Sequence, residues 1–180
     1  MYGIVNKAIE ELITEKFGRE KWFTIKENSE IEVDYFLSNE AYNDDITFTL
    51  IKVAATTLNI PEKQILNDFG EWWILRTGKE KYGALLEAGG TTLKDFLINL
   101  PQFHNRIVLM YPKLTPPEFK VSDVSDNSLQ IHYISQREGL HEFVRGLLYG
   151  LIKLYQTNAV IELIQSKKNG YAHDIFKVTW

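Results

Sequence analysis

The chain contains no cysteine among its 180 residues. This absence excludes disulfide bonds, thiolate metal ligands, iron–sulfur clusters and thiol nucleophiles. Long hydrophobic runs are also absent, since none approaches the roughly 18 residues that a membrane-spanning helix needs. The opening segment carries Lys7, Glu10 and Glu11 and therefore does not resemble a signal peptide. We expect a cytoplasmic protein with no membrane contact.

Net charge is low as well, at −4. A value of this size and sign argues against nucleic acid or an anionic membrane surface as the main partner. In contrast, hydrophobic residues make up 44% of the chain and aromatic residues 13%. That composition is sufficient for one domain with a hydrophobic core and, in addition, an apolar cavity.

Apolar residues recur at helical spacing through the first two thirds of the chain. One stripe begins at Ile4 and ends before Gly18, and another helix begins at Pro61. The last helical segment carries His104 and Tyr111 on its apolar face, and Pro101 within it predicts a kink or a fresh helix start. We predict a helical N-terminal lobe over about residues 1–111.

After Pro116 and Pro117 the pattern changes to the alternation that is typical of strands. Strands are predicted over residues 119–124, 128–135, 160–164 and 175–180, with one helix over residues 140–151. This order indicates an α+β lobe over about residues 117–180, in which one helix backs a four-stranded antiparallel sheet. Because no linker composition separates the lobes, we expect a single domain over residues 1–180.

Tyr133, Ser135 and Arg137 alternate on one predicted strand. Same-face residues of a strand lie about 6.5–7 Å apart, so the three side chains would direct their hydrogen-bond donors the same way. Two hydroxyls and a guanidinium suit a pair of adjacent carboxylates, such as the propionates of haem. His104, on the apolar face of a helix, is of the type that ligates haem iron.

Taken in order, these motifs resemble the haem–nitric oxide/oxygen-binding (H-NOX) family, bacterial relatives of the soluble guanylate cyclase haem domain. The resemblance covers essentially the whole chain, through the segments MYGIVNKAIEEL, DFGEWW, LPQFHNRIVLMYPKLTPPEF, IHYISQREGL and HDIF. It implies non-covalent haem b between the lobes, with His104 as the proximal iron ligand and Tyr133, Ser135 and Arg137 on the propionates. It also implies that Pro117 presses on the porphyrin and bends it.

The resemblance further implies a distal wall of Ile9, Trp73 and Phe143, with Val5 also in contact with the haem. Oxygen-binding relatives carry a distal tyrosine whose hydroxyl stabilises bound O₂, and alignment on Gly146 places Phe143 there. Phenylalanine cannot donate a hydrogen bond, so the pocket should favour NO and CO over O₂. The indole N–H of Trp73 is an alternative donor, although we favour a steric role for this side chain.

In the family scheme, NO weakens the iron–histidine bond, and release of His104 lets the porphyrin flatten against Pro117. The lobes would then rotate about a hinge at residues 112–118. We expect a stand-alone sensor, not an enzyme, that signals to a separate histidine kinase or cyclic-di-GMP enzyme. The alternatives are a haem enzyme such as a peroxidase, a gas storage or scavenging protein, and a haem-free ligand or interaction module.

Overall fold

The computed structural model describes residues 1–111, 113 and 115–180, and it contains the two predicted lobes. The helices are α1 (Gly3–Phe17), α2 (Arg19–Asn28), α3 (Asp44–Leu58), α4 (Glu62–Trp72), α5 (Lys79–Glu87), α6 (Leu93–Met110) and α7 (His141–Leu154). A π-helical turn, Trp73–Gly78, joins α4 to α5. The strands are β1 (Glu118–Ser122), β2 (Ser128–Ile134), β3 (Val160–Gln165) and β4 (Asp174–Thr179). Within these residues, we find no helix that combines the length and the apolarity needed to cross a membrane.

Local signals fix the ends of several helices in the N-terminal lobe. α3 begins where the side chain of Asn43 accepts a hydrogen bond from the backbone N–H of Asp45 (3.0 Å). Asp44 and Asp45 lie in its first turn, where the helix dipole favours negative charge. α2 was not predicted from the sequence, because only Trp22 and Ile25 of this helix are buried and its apolar stripe is short.

α6 runs without interruption through Pro101, so the predicted fresh helix start is wrong. The hydroxyl of Thr92 accepts a hydrogen bond from the N–H of Asp95 (3.1 Å) and caps the first turn. Proline removes one backbone hydrogen bond from a helix interior. Burial of Leu97 and Leu100 next to it holds the helix together across this gap.

The four strands form one antiparallel sheet in the order β1-β2-β4-β3, as predicted in type and number. Alternate residues of β2 are buried, namely Leu129, Ile131 and Tyr133. Together with Phe176 of β4 they belong to a core that also includes Val144 of α7. The inner face of the sheet therefore packs against α7, and the same core includes Leu97 and Leu100 of α6 in the helical lobe.

Two glycines bring α4 and α7 into backbone contact. A Cβ atom at Gly70 would lie 2.1 Å from the carbonyl oxygen of Phe143, and one at Gly146 would lie 2.0 Å from that of Asn67. Real Cβ atoms do not approach a carbonyl oxygen so closely, so the crossing requires glycine at both positions. The crossing also fixes the position of Phe143.

We predict that Gly146→Ala lowers the free energy of unfolding by about 1–3 kcal/mol, because the new methyl group forces α4 and α7 apart. Urea denaturation measures this change. Gly83→Ala is the matched control, since a Cβ there meets no atom within 4 Å. In the control, alanine should stabilise α5 by about 0.5–1 kcal/mol. Equal effects at both positions would contradict the backbone contact.

Candidate functional site

A cavity of about 240 Å³ lies between the two lobes. Native interiors contain few voids larger than a water molecule, so a space of this size indicates a ligand site. Its walls are mainly aliphatic and aromatic. Seven of the nine predicted site residues line it: Val5, Trp73, His104, Pro117, Tyr133, Arg137 and Phe143.

His104 projects from the second half of α6 into this cavity. Its ring packs against that of Phe119, with centroids 5.1 Å apart. Burial lowers the pKa of His104 to about 4, so the imidazole is neutral at pH 7. No group in the described part of the chain hydrogen-bonds to this ring. A neutral, unpartnered imidazole in an apolar cavity is the state in which histidine binds a metal ion.

Aromatic side chains form another wall of the cavity. Phe69 of α4 packs against Phe143 of α7 with ring centroids 5.0 Å apart, and against Trp73 at 6.0 Å. Val5 of α1 completes this wall. Ile9, the remaining residue of the predicted distal wall, is not among the residues that line the cavity. It lies one helical turn beyond Val5, about 6 Å along α1, and is buried in the core of the helical lobe.

Only Tyr133 of the Tyr-x-Ser-x-Arg run lies on a strand, because β2 ends at Ile134. The prediction that all three residues share a strand face is therefore wrong. The chain turns after β2, and the hydroxyl of Ser135 accepts a hydrogen bond from the backbone N–H of Arg137 (3.0 Å). Ser135 itself does not line the cavity among the described residues, whereas Tyr133 and Arg137 both do. Burial raises the pKa of Tyr133, which keeps its hydroxyl protonated.

Arg137 is already engaged by a carboxylate that the sequence did not reveal. Its Nε donates to Asp44 Oδ2 at 2.6 Å, and its Nη1 donates to the carbonyl oxygen of Thr115 at 2.6 Å. The amino group of Met1 also donates to Asp44, at 2.5 Å. Burial alone would raise the pKa of Asp44, but hydrogen bonds from Arg137 and the amino terminus outweigh it and hold the pKa below its usual value.

Pro117 lines the cavity just before β1, in the segment that connects the lobes. The predicted hinge at residues 112–118 includes positions 112 and 114, which lie outside the described residues. Of the rest, the N–H of Lys113 donates to the hydroxyl of Tyr2 (2.9 Å), and Thr115 accepts from Arg137. The connection is thus tied to a residue of each lobe.

These residues suit a flat, largely apolar ligand that carries carboxylates at one edge and a metal at its centre. The walls exclude water from its faces, His104 offers a neutral nitrogen, and Arg137 and Tyr133 offer donors to carboxylates. An iron porphyrin matches each of these groups. Sequence reasoning missed Asp44, Phe69 and the amino terminus, because their roles depend on contacts between distant parts of the chain.

Fold and site together define an α+β domain of two lobes around an apolar cavity into which a histidine projects. The sequence profile of the Haem-NO-binding family matches residues 2–163. The chain belongs to the Haem-NO-binding family.

Known proteins of similar sequence and of similar structure support this family assignment. The soluble guanylate cyclase gcy-35 of Caenorhabditis elegans is 29% identical over 192 residues, which cover 99% of this chain and 27% of that protein. The chain thus spans about a quarter of the length of this curated relative. An H-NOX protein from S. oneidensis in the Fe(II)NO state has a TM-score of 0.88 at 18% identity, covering 99% of this chain and 98% of the other. An H-NOX domain from Shewanella oneidensis in the Fe(II)CO state gives 0.89 at 18%, with coverage of 99% and 98%.

Proposed function

We propose that this chain is a gas sensor that binds NO and CO at a ferrous haem b held in the cavity. One observation carries the proposal: a neutral, unpartnered imidazole and a guanidinium with a phenol hydroxyl face the same apolar cavity. When bound, haem would supply the iron that takes the gas. His104 would hold that iron, and Arg137, Tyr133 and Ser135 would receive the propionates. Membership of the Haem-NO-binding family supports this assignment.

Gas selectivity, in this proposal, follows from the side chain at position 143. Phe143 offers no hydrogen-bond donor where O₂ would need one, and Phe69 packs against it. Trp73 is the alternative donor, because none of the described residues accepts a hydrogen bond from its indole N–H. Peroxidase chemistry would need an acid–base pair on this wall of the cavity. None is provided by the side chains that form it, Val5, Phe69, Trp73 and Phe143, and this supports gas binding instead.

The visible absorption spectrum of the purified protein tests the proposal directly. We expect a haem spectrum that changes with NO and with CO, and no stable complex of the ferrous protein in air. Phe143→Tyr should introduce O₂ binding, because it adds a donor to the wall shared with Phe69. Phe103→Tyr is the matched control, since it adds a hydroxyl to the same cavity from α6. A long-lived O₂ complex in the wild type would contradict the role of Phe143 and indicate Trp73.

We further propose that gas binding is relayed to a separate signalling protein, of the histidine kinase or cyclic-di-GMP enzyme class. Displacement of α6 and of the segment around Pro117 would change the surface at the junction of the lobes. A partner that prefers one state must shift NO affinity by the factor by which NO shifts partner affinity.

The relay predicts different partner affinities with and without NO, measured with a kinase or cyclic-di-GMP enzyme encoded by the same organism. Pro117→Ala should move the unliganded protein toward the NO-bound affinity, because the smaller side chain relaxes the wall beside the cofactor. Equal affinities in every state would leave gas storage or scavenging as the function.

A further inference from the structure

Three tyrosines meet where the helix that carries His104 ends. Tyr111 follows the last residue of α6, and its hydroxyl is hydrogen-bonded to the hydroxyl of Tyr82 on α5. The ring of Tyr111 also packs edge-on against that of Tyr2, with centroids 4.7 Å apart. Tyr2 and Tyr82 are buried, at 6% and 7% exposure. The end of α6 is thus attached to two other elements of the helical lobe.

The second half of α6 has little else to hold it in place. Asn99 donates to the carbonyl oxygen of Gly89 (3.0 Å), but beyond Asn99 the described part of the chain gives α6 no side-chain hydrogen bond except that of Tyr111. Leu109 and Met110 are 82% and 53% exposed. His104 and Ile107 face the cavity rather than a packed neighbouring helix. Its other attachments are packing contacts, among them that of the His104 ring with Phe119 of β1.

The two hydroxyls depend on each other. In the described structure neither Tyr82 nor Tyr111 has another hydrogen-bond partner for its hydroxyl. A buried hydroxyl that loses its partner bears a desolvation cost, so the pair resists separation. Burial raises the pKa of Tyr82, which keeps a proton available for the bond at neutral pH. Tyr82 also departs from helical geometry, with φ −128° and ψ 19°, at a kink within α5.

We propose that the Tyr82–Tyr111 hydroxyl pair anchors the C-terminal end of α6 to the helical lobe. The pair would thereby set how readily His104 separates from the iron of bound haem. Tyr111 lies seven residues, or about 10 Å, beyond His104 on the same side of the helix. A helix fixed at this end resists displacement at His104, and a helix freed there yields more easily. The two tyrosines act as positioning residues, and this role rests on the proposed function.

Hydrogen exchange of the full chain tests the anchor, with haem bound and after its removal. In Tyr82→Phe and Tyr111→Phe, backbone amides of residues 105–110 should exchange about three- to tenfold faster, the range expected for one lost hydrogen bond. Residues 96–100 should exchange as in the wild type. Because both substitutions remove the same bond, the double variant should match either single variant rather than their product.

Tyr155→Phe is the matched control. Its hydroxyl donates to the backbone carbonyl oxygens of Gly90 (3.1 Å) and Leu86 (3.4 Å), so the variant loses a comparable contact away from the end of α6. Unchanged exchange at residues 105–110 in both tyrosine variants would overturn the proposal. So would an equal acceleration of residues 105–110 in Tyr155→Phe, which would indicate a general loss of stability.

The haem-loaded protein adds a second measurement, the fraction of the NO complex in which His104 is no longer coordinated. Its absorption spectrum should show that fraction rising in Tyr82→Phe and Tyr111→Phe, and unchanged in Tyr155→Phe. A fraction unchanged in all three variants would overturn the link between the anchor and His104. A chain that binds no haem would instead contradict the proposed function, and the exchange of residues 105–110 would still decide whether the anchor exists.

Discussion

Replacement of His104 with glycine should abolish the iron–imidazole bond, and added imidazole should restore it. The side chain projects into an apolar cavity, is neutral at pH 7, and has no hydrogen-bond partner among the described residues. Its removal therefore leaves no buried polar group without a partner. Free imidazole can occupy the space because Phe119 and the other walls are in place without it. The ferrous absorption spectrum, recorded with and without imidazole, measures both effects.

His132→Ala provides the control for this experiment. His132 points away from the cavity and bonds to Ser122 (2.8 Å) and to His173 (2.9 Å). Its loss should leave the ferrous spectrum as in the wild type. If His104→Gly also gave the wild-type spectrum, His104 would not be the axial ligand, and another residue of the cavity would have to hold the iron.

Sequence periodicity was sufficient to predict the helices and strands that bury one face and expose the other. The inward residues of β2 and the apolar face of α6 both follow from spacing alone. α2 escaped prediction because two buried residues do not make a stripe. The π-helical turn Trp73–Gly78 was not predicted either: it packs against α7, and no local sequence pattern encodes that contact.

The residues of the candidate site likewise include some that could be predicted from the sequence and some that could not. His104 and Tyr133 could be named because each is a chemically distinctive residue on an element that periodicity predicts, and Arg137 because it completes the Tyr-x-Ser-x-Arg motif. Ile9, which the family resemblance placed in the distal wall, stays a prediction: it is buried in the core against which Val5, Trp73 and Phe143 pack. Asp44 was missed because the chain places it 93 residues from Arg137, and only the tertiary structure brings the two together.

The contact with Asp44 makes the test of Arg137 more discriminating. The guanidinium bonds to Asp44 and to Thr115, and the Arg137 side chain is 19% exposed. Arg137→Ala should lower haem affinity by about 2–4 kcal/mol, because a partly buried carboxylate pair would lose its fork of donors. Arg137→Lys retains the charge but not the fork, so it should fall between wild type and alanine. Haem transfer to an apomyoglobin acceptor measures the affinity.

Asp44→Asn separates the two roles that Arg137 can play. If Arg137 acts only by joining the lobes through Asp44, the asparagine variant should lose as much haem as Arg137→Ala. If the guanidinium contacts the propionates, Asp44→Asn should retain haem, since it removes a competing carboxylate and leaves Arg137 in place. We expect the second result. Unchanged haem affinity in a variant with alanine at positions 133, 135 and 137 would show that other residues bind the carboxylates of the cofactor. The only role of the Tyr-x-Ser-x-Arg run would then be to stabilise the turn after β2.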